Sequence, residues 1–200
     1  GYQLIKHDFT CFDIMGRWSF DMGSQMTNPD WRFYDNSLTT AEIVLNMYKA
    51  IRRGAGSSII IGCNTFGHLG AGLFELQRTG DDTSGMEWER TRKMGVNTLA
   101  FRSTQHNAFF SADADCVGLT RKIPWNMNRQ WLDVLAKSGT PLFVSAEPEA
   151  MGAEQISAVK EAFARASKPQ PIGEPIDWMH TTTPRLWKFG NERREYIWDI

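Results

Sequence analysis

The chain has 200 residues, with 22 lysines and arginines against 23 aspartates and glutamates, so its formal net charge at neutral pH is −1. This balance argues against a nucleic-acid-binding protein, because counterion release needs a basic surface. Hydrophobic residues make up 42% of the chain and charged residues 22%, which is enough apolar surface for a folded core. The length suggests one domain, at roughly 150 residues per domain.

Local signatures of a metal or nucleotide site are missing from the sequence. The three cysteines, Cys11, Cys63 and Cys116, are widely spaced, and an odd number cannot close a disulfide framework, so we expect free thiols. The four histidines lack zinc-ligand spacing, and neither a P-loop nor a GxGxxG turn occurs. No apolar run approaches the roughly 18 residues of a membrane span.

The predicted elements alternate between strands and helices. The first is a strand over 4–9, on which Lys6 and Asp8 share a face because side chains alternate along a strand. A long loop then leads to a helix over about 40–53, with threonines at its start and glycines at its end. The apolar run 58–63 is typical of a strand buried on both faces, and it completes a parallel crossover.

The same alternation continues toward the end of the chain. A glycine-rich loop without a helix is expected between Asn64 and Leu73, and Gly95 is expected to end a helix. A second long loop holds Asp113 and Asp115. The remaining predicted strands are 73–78, 98–102 and 141–145, and the remaining predicted helices are 86–94, 129–137 and 153–166.

Strands separated mostly by helices predict a parallel α/β architecture. A doubly wound sheet normally carries a glycine-rich ligand loop at its first turn, which is missing here, whereas a (β/α)₈ TIM barrel carries its chemistry at the carboxyl ends of its strands. Polar side chains fall at those ends, so we favour the barrel. They are Lys6, Asp8, Cys63, Asn64, Arg78, Asp81, Asp82, Arg102 and Ser145.

Two groups of carboxylates follow predicted strands that lie two positions apart. Asp8 follows the first strand and the Asp81-Asp82 pair follows the third. A retaining glycosidase needs such a pair, because one carboxylate attacks the anomeric carbon while another, about 5 Å away, protonates the leaving oxygen. The charge of Lys6 would favour an ionised Asp8. The spacing alone leaves open that Asp82 or Ser84 merely caps the next helix.

The sequence motifs around these carboxylates indicate a function more specifically than the spacing of the carboxylates does. Residues 4–8 resemble the lysine-aromatic-aspartate strand of the α-galactosidases of glycoside hydrolase families 27 and 36, the melibiase clan. Residues 78–83 resemble the segment of those enzymes that carries the general acid/base, and 60–64 resemble their strand that ends in a sugar-contacting cysteine. Residues 110–115 and 140–145 are similar to the loop after their seventh strand and to their eighth strand.

The resemblance implies a fold and a reaction. Residues 1–168 would supply about strands 4 to 8 of a (β/α)₈ barrel, and 169–200 would form a proline-rich extension that leaves it. Three strands would then precede Gly1, and without them the first strand would be an open edge. The reaction would be hydrolysis of terminal α-linked sugars, α-galactosides first, by double displacement without a metal or organic cofactor.

The resemblance also implies roles for individual residues. Asp8 would be the nucleophile and Asp81 the general acid/base. The substrate contacts would come from Lys6, Cys63, Arg78 and Asp82, with Trp18 or Trp31 stacked on the sugar. Trp88 and Trp125 are further candidates for stacking, although packing explains each of these tryptophans equally well. We expect Asp113 and Asp115 to bind backbone amides.

Two other functions fit the same residues. One is a transglycosylase that passes the sugar to another sugar, and the other is a non-catalytic carbohydrate-binding barrel. In every case the partner is a glycoside or an oligosaccharide, with no nucleic acid and no membrane, and an oligomer is compatible with the sequence. The resemblance favours a secreted or periplasmic location.

Overall fold

A computed structural model describes residues 1–9 and 31–199, and Trp18 and Cys11 lie outside these ranges. The chain divides into two compact units, Gly1–Arg78 and Thr79–Ile200. Each unit has a hydrophobic core of its own.

The first unit is a parallel sheet with a helix packed on one face. Strand β1 pairs with β2, and β2 pairs with β3, all in parallel. The predicted strand, helix, strand crossover is therefore confirmed. The strands are β1 (Leu4–His7), β2 (Ile59–Gly62) and β3 (Leu76–Arg78), and the helices are α1 (Thr40–Ala55) and α2 (Gly67–Gly70).

Helix α1 begins and ends at the residue types that the sequence predicted. The Thr39 hydroxyl accepts the backbone N–H of Glu42, and the Glu42 carboxylate accepts the N–H of Thr39, which forms a capping box. Gly56, with φ of 58°, ends the helix in a conformation that favours glycine. The buried face of α1 carries Val44 and Tyr48, which pack against β2.

An ion pair fastens the end of α1 to the sheet. The Arg52 guanidinium donates to both carboxylate oxygens of Glu75, at 2.8 and 3.0 Å, and to the carbonyl of Gly56 at 2.7 Å. Glu75 in turn accepts the N–H of Ile60 at 2.8 Å. The positions of β2 and of the segment entering β3 are thus tied to the same helix.

One prediction in the first unit is wrong. We predicted no helix between Asn64 and Leu73, but α2 forms a single helical turn there. The start of this turn is fixed by Phe66, whose backbone N–H donates to the buried Tyr48 hydroxyl at 2.9 Å. That partner lies on α1, so the turn depends on a contact outside its own glycine-rich sequence.

The second unit combines a parallel strand pair, two long helices and an antiparallel sheet. Strands β5 and β6 pair in parallel, and β7, β8 and β9 form the antiparallel sheet. The strands are β4 (Ser111–Asp113), β5 (Cys116–Leu119), β6 (Phe143–Ala146), β7 (Gly173–Pro175), β8 (Leu186–Phe189) and β9 (Glu192–Glu195). The helices are α3 (Trp88–Thr91), a π-helical turn (Arg92–Val96), α4 (Asn97–Phe101), α5 (Trp125–Lys137) and α6 (Ala153–Ala166).

The predicted strand at 98–102 is wrong, because this segment is helical. Helical backbone continues from Trp88 to Phe101 through the π-helical turn. Gly95 lies inside that turn and does not end the helix. A Cβ at Gly95 would come within 2.7 Å of Cζ2 of Trp131, so this glycine serves close packing against α5.

The other predicted element boundaries in the second unit agree with the structure to different degrees. Helix α6 covers the predicted 153–166, whereas α5 begins at Trp125, four residues earlier than predicted. Strand β5 lies in the segment that was expected to be a loop. The parallel pairing of β5 and β6 supports the α/β class.

The proline-rich segment after Lys168 contains a folded sheet. Trp187 of β8, and Trp198 just beyond β9, are fully buried in the same core as Trp131 of α5. That residues 1–168 form part of a barrel from which 169–200 extend stays our proposal for the domain organisation. Among the described residues, no helix combines the length and the apolar character needed to cross a membrane.

Candidate active site

Three candidate side chains of the first unit share one level of the sheet. Each of the three strands contributes one residue to a row of paired positions. Asp8, Cys63 and Arg78 are the residues that directly follow this row. They therefore stand at the carboxyl ends of the strands, on one face of the sheet. The paired residues just before them are His7, Gly62 and Gln77.

The Asp8 carboxylate is surrounded by donors. Its Oδ1 accepts the Asn64 side-chain amide at 2.7 Å and the backbone N–H of Phe9 at 2.8 Å. Its Oδ2 lies 3.5 Å from the Lys6 ammonium. Partial burial by itself would raise the pKa of Asp8, but the bonds from Asn64 and Phe9, the charge of Lys6 and the Cys63 thiol lower it below its ordinary value. The structure thus favours the ionised form that a nucleophile needs.

The backbone turns sharply beside this carboxylate. Phe9 has φ of 63° and Asn64 has φ of 50°, both in the left-handed region. Asparagine tolerates this region better than most residues, whereas for phenylalanine it is strained. Strain of this kind is often found at functional sites, where it costs of the order of 1–3 kcal/mol per residue.

Cys63 is buried and protonated. Burial raises the pKa of its thiol to about 11, although the nearby positive charge of Arg78 acts in the opposite direction. The thiol donates a hydrogen bond to Asp8. Cys63 and Cys116 are both free cysteines, as expected.

His7 lies on the opposite face of β1 and supports the helix layer. Its ring centroid is 5.7 Å from that of Phe74 and 6.2 Å from that of Tyr48. Burial lowers the pKa of His7, against a smaller opposite effect of the Asp8 charge. The residue between Lys6 and Asp8 therefore packs the sheet against α1.

The other candidate carboxylates, Asp81 and Asp82, belong to the second unit. Asp81 forms an ion pair with Arg90, at 2.7 Å, and accepts the backbone N–H of Asp82 at 2.8 Å. Arg90 also donates to the carbonyl of Asp82 at 2.8 Å. The Asp81 side chain is 57% exposed.

The alternative that Asp82 or Ser84 caps the next helix is wrong. Helix α3 begins at Trp88, and no side chain of the described ranges caps it. Asp82 and Ser84 are therefore not N-caps.

Two of the candidate tryptophans make packing contacts. Trp88 is buried and donates its indole N–H to the carbonyl of Trp198 at 2.7 Å. Trp31 packs partly on the core of the first unit and lies edge-on to Phe33, with ring centroids 4.5 Å apart. Trp125 lines a cavity at the start of α5.

Asp113 and Asp115 bind backbone amides, which confirms their predicted structural role. Asp115 accepts the N–H of Thr83 at 2.6 Å, and Asp113 accepts the N–H of Asp115 at 2.8 Å. These bonds hold the segment that follows Asp82 against the approach to β5.

No protein-family model and no curated protein matches the sequence. Among solved structures, an α-galactosidase from Thermus thermophilus in complex with p-nitrophenyl α-D-galactopyranoside is similar, with 17% identity and a TM-score of 0.53. The match covers 78% of this chain and 33% of that one. A family 27 β-L-arabinopyranosidase from Geobacillus stearothermophilus matches with 14% identity and a TM-score of 0.58, over 86% of this chain and 39% of that one.

The chain shares its fold with part of these glycosidases. The resemblance to α-galactosidase-like glycoside hydrolases is confirmed for the fold, and the chain spans between a third and two fifths of the length of either protein.

Within this glycosidase-like fold, Asn64 is the functional candidate that the sequence prediction missed. The sequence places Asn64 at a strand end but indicates no role for it, because nothing in its local sequence connects it with Asp8. The contact depends on the parallel register of β1 and β2, which brings together residues 56 positions apart. Among the described residues, no group of three or more metal-ligating side chains is placed to hold an ion.

Proposed function

We propose that this chain is part of a retaining glycoside hydrolase that removes terminal α-linked sugars, with α-galactosides as the first candidates. The observation that carries the proposal is the ionised Asp8 carboxylate, which the sheet presents at a strand end between Lys6 and Asn64. The fold likeness to part of an α-galactosidase supports the same reaction class.

In the first step, a carboxylate oxygen of Asp8 attacks the anomeric carbon of the terminal sugar. The bond from that carbon to the leaving oxygen breaks, and the leaving oxygen takes a proton from Asp81. The product of this step is a sugar esterified to Asp8 with inverted configuration. For this role the Asp81 carboxyl must be released from Arg90 and carry a proton.

In the second step, Asp81 accepts a proton from a water molecule, and the water oxygen attacks the same carbon. The ester bond to Asp8 breaks, and the second inversion restores the original configuration. Asp81 donates and then recovers the proton of this cycle, while Asp8 only forms and releases the ester bond, so the proposed reaction requires no metal and no organic cofactor.

The neighbouring polar groups would bind the sugar. Lys6 and Arg78 would hold ring hydroxyls, and the Cys63 thiol and Asp82 would add further contacts. The Lys6 side chain is 48% exposed beside Asp8, so it can reach a ligand while keeping its charge near the carboxylate. Trp18 and Trp31 are our candidates for stacking on the sugar.

The direct test is hydrolysis of p-nitrophenyl α-galactoside and related α-glycosides. We expect Asp8→Asn to lower kcat/KM by about a thousandfold or more, because the variant lacks the nucleophile. Asp8→Gly should instead regain activity in azide and release the β-galactosyl azide, since azide attacks once from the face that Asp8 leaves. Full activity in Asp8→Asn would refute the assignment.

The ion pair between Asp81 and Arg90 favours a second candidate, a non-catalytic carbohydrate-binding barrel. In that case Asp81 has a structural partner and is not the proton donor. Saturable binding of galactose without turnover of any aryl α-glycoside would support this candidate. Transfer of the sugar to an acceptor sugar in excess would instead indicate a transglycosylase.

A further inference from the structure

A cavity of about 320 Å³ opens at the start of helix α5, in the second unit. It lies where the chain leaves the end of β5 and where the short helical turn Pro148–Ala150, which precedes α6, approaches. Its volume is at the lower end of the range of small-molecule sites. The lining includes Leu119, Arg121, Trp125, Asn128, Glu149 and Gln155.

Two buried polar atoms of this lining have no hydrogen-bond partner among the described residues. They are Nε1 of Trp125, a donor, and Oδ1 of Asn128, an acceptor. Asn128 is only 2% exposed, and its amide nitrogen donates to the carbonyl of Gly118 at 3.1 Å, which determines which amide atom is the oxygen. Burying such atoms without a partner is costly, so few folds retain them without a reason.

The other indole groups of this unit show that the orphaned donor is unusual. Four buried or partly enclosed indole N–H groups donate to backbone carbonyls at 2.6–3.2 Å. Trp125 differs from them although it belongs to the same helix as one of the four. The satisfied residues are Trp88, Trp131, Trp187 and Trp198.

Spacing on the helix places the two orphaned groups near each other. Trp125 and Asn128 are three residues apart on α5, so they lie on the same face, one turn apart. A single hydroxyl group within reach of both atoms would satisfy them, because its oxygen accepts from an indole N–H while its own hydrogen is donated to an amide oxygen. Apolar lining from Leu119 and from Ile123 suits a ligand that also has C–H surface.

We infer that this cavity is a second carbohydrate site, in which one hydroxyl of a glycosyl unit bridges Trp125 and Asn128. Arg121 and Glu149, at the rim, would bind outer hydroxyls. The choice of a sugar among hydroxylated ligands rests on the proposed function, whereas the need for a donor-acceptor ligand rests on the two orphaned atoms alone.

The experiment is a titration of the ¹⁵N-labelled Asp8→Asn chain with methyl α-galactoside, followed at the tryptophan indole resonances. The Trp125 resonance is assigned by its loss in a Trp125→Phe variant. We expect this resonance to shift saturably, while those of the buried Trp131 and Trp198 stay in place as internal controls. Trp125→Phe, which keeps an aromatic ring, should weaken binding measured by calorimetry by up to about tenfold, the effect of one hydrogen bond.

The outcomes separate this inference from the proposed function. A shift at Trp125, together with no hydrolysis of any glycoside by the unmodified chain, would leave the second site standing and reject the hydrolase. Hydrolysis without any shift at Trp125 would reject the second site alone. An equal shift with glycerol at the same concentration would also overturn the assignment to a sugar.

Discussion

At the residue scale, the proposed chemistry depends on the negative charge of Asp8 and on the four groups that stabilise this charge. Burial of the Asp8 carboxyl favours its protonated form, and two hydrogen-bond donors, one ammonium group and one thiol outweigh it. Since the pKa of Asp8 is lowered, the carboxylate stays ionised to a lower pH than an ordinary aspartate. The acidic limb of the pH dependence of kcat/KM should therefore lie at low pH.

Asn64 is the neighbour whose contribution can be removed most cleanly. We expect Asn64→Gly to raise the pKa of Asp8 and to move the acidic limb of kcat/KM to higher pH, because the carboxylate loses its 2.7 Å donor. Glycine accepts the left-handed backbone at this position, where φ is 50°. The measurement is the pH dependence of kcat/KM for an aryl α-glycoside.

Asn107 provides the matched control for that variant. It also has left-handed backbone, with φ of 58°, and lies in the second unit. Asn107→Gly should leave the acidic limb in place. If both variants gave the same profile as the unmodified protein, Asn64 would have no role in setting the charge of Asp8.

At the element scale, two helical glycines give opposite predictions. A Cβ at Gly95 would meet Trp131 at 2.7 Å, whereas a Cβ at Gly54 would meet nothing within 4 Å. Gly95→Ala should therefore destabilise the fold by about 1–3 kcal/mol through overpacking. Gly54→Ala should stabilise it by up to about 1 kcal/mol, because alanine is the better helix former.

Chemical denaturation followed by circular dichroism measures both substitutions. Stabilisation by Gly95→Ala would mean that Trp131 has room to move and that the glycine is not required for packing. The comparison isolates packing, since both changes add the same methyl group to a helix.

His106 joins two segments of the second unit through its neutral ring. Its Nδ1 accepts the N–H of Ala112 at 3.0 Å, so its Nε2 carries the proton and donates to the carbonyl of Gly139 at 3.1 Å. Burial lowers the pKa of His106, against a smaller opposite effect of the bond to Gly139. The stability from this residue is thus complete above the unfolded value of 6.5 and is lost as the pH falls below it.

Replacing this histidine should remove that pH dependence. We expect His106→Leu to lower the free energy of unfolding at pH 8 by about 1–3 kcal/mol, because two buried backbone groups lose their partner. The variant should also lose part of the decrease in stability between about pH 7 and pH 5. His180→Leu, at an exposed histidine, is the control for a general effect of the substitution. Equal pH dependence in both variants would contradict the argument.

Prediction from the sequence succeeded where the signal is local. The threonine cap of α1 and the full extent of α6 follow from capping residues and from periodic apolar side chains. The predicted strand at 98–102 failed because Gly95 looked like a helix stop, and its true role depends on Trp131, 36 residues further along. For the same reason the Lys6 and Asp8 pair could be predicted from alternation, whereas the contact of Asp8 with Asn64 could not.

At the scale of the whole molecule, β1 is an edge strand of the sheet among the described residues. Within the described part of the chain, β1 pairs only with β2, and its Leu4 side chain is 50% exposed. Unpaired strand edges with apolar side chains promote association between chains. We expect concentration-dependent self-association, measurable by sedimentation velocity.

A charge on the edge should reduce that association. Leu4→Lys should shift the sedimentation distribution toward the monomer, because edge lysines disfavour strand pairing. Leu38→Lys changes another exposed leucine outside the strands and should have little effect. Association that persists unchanged in Leu4→Lys would place the contact elsewhere on the molecule.

The common register of β1, β2 and β3 also limits how this chain can vary in length. Since neighbouring residues of a strand point to opposite faces, inserting or deleting one residue within β1 would turn Asp8 toward the helix layer and bring His7 or Phe9 into its place. A change of two residues would restore the face but displace the carboxylate by about 7 Å along the strand. Functional relatives should therefore differ in length between the strands and almost never within them.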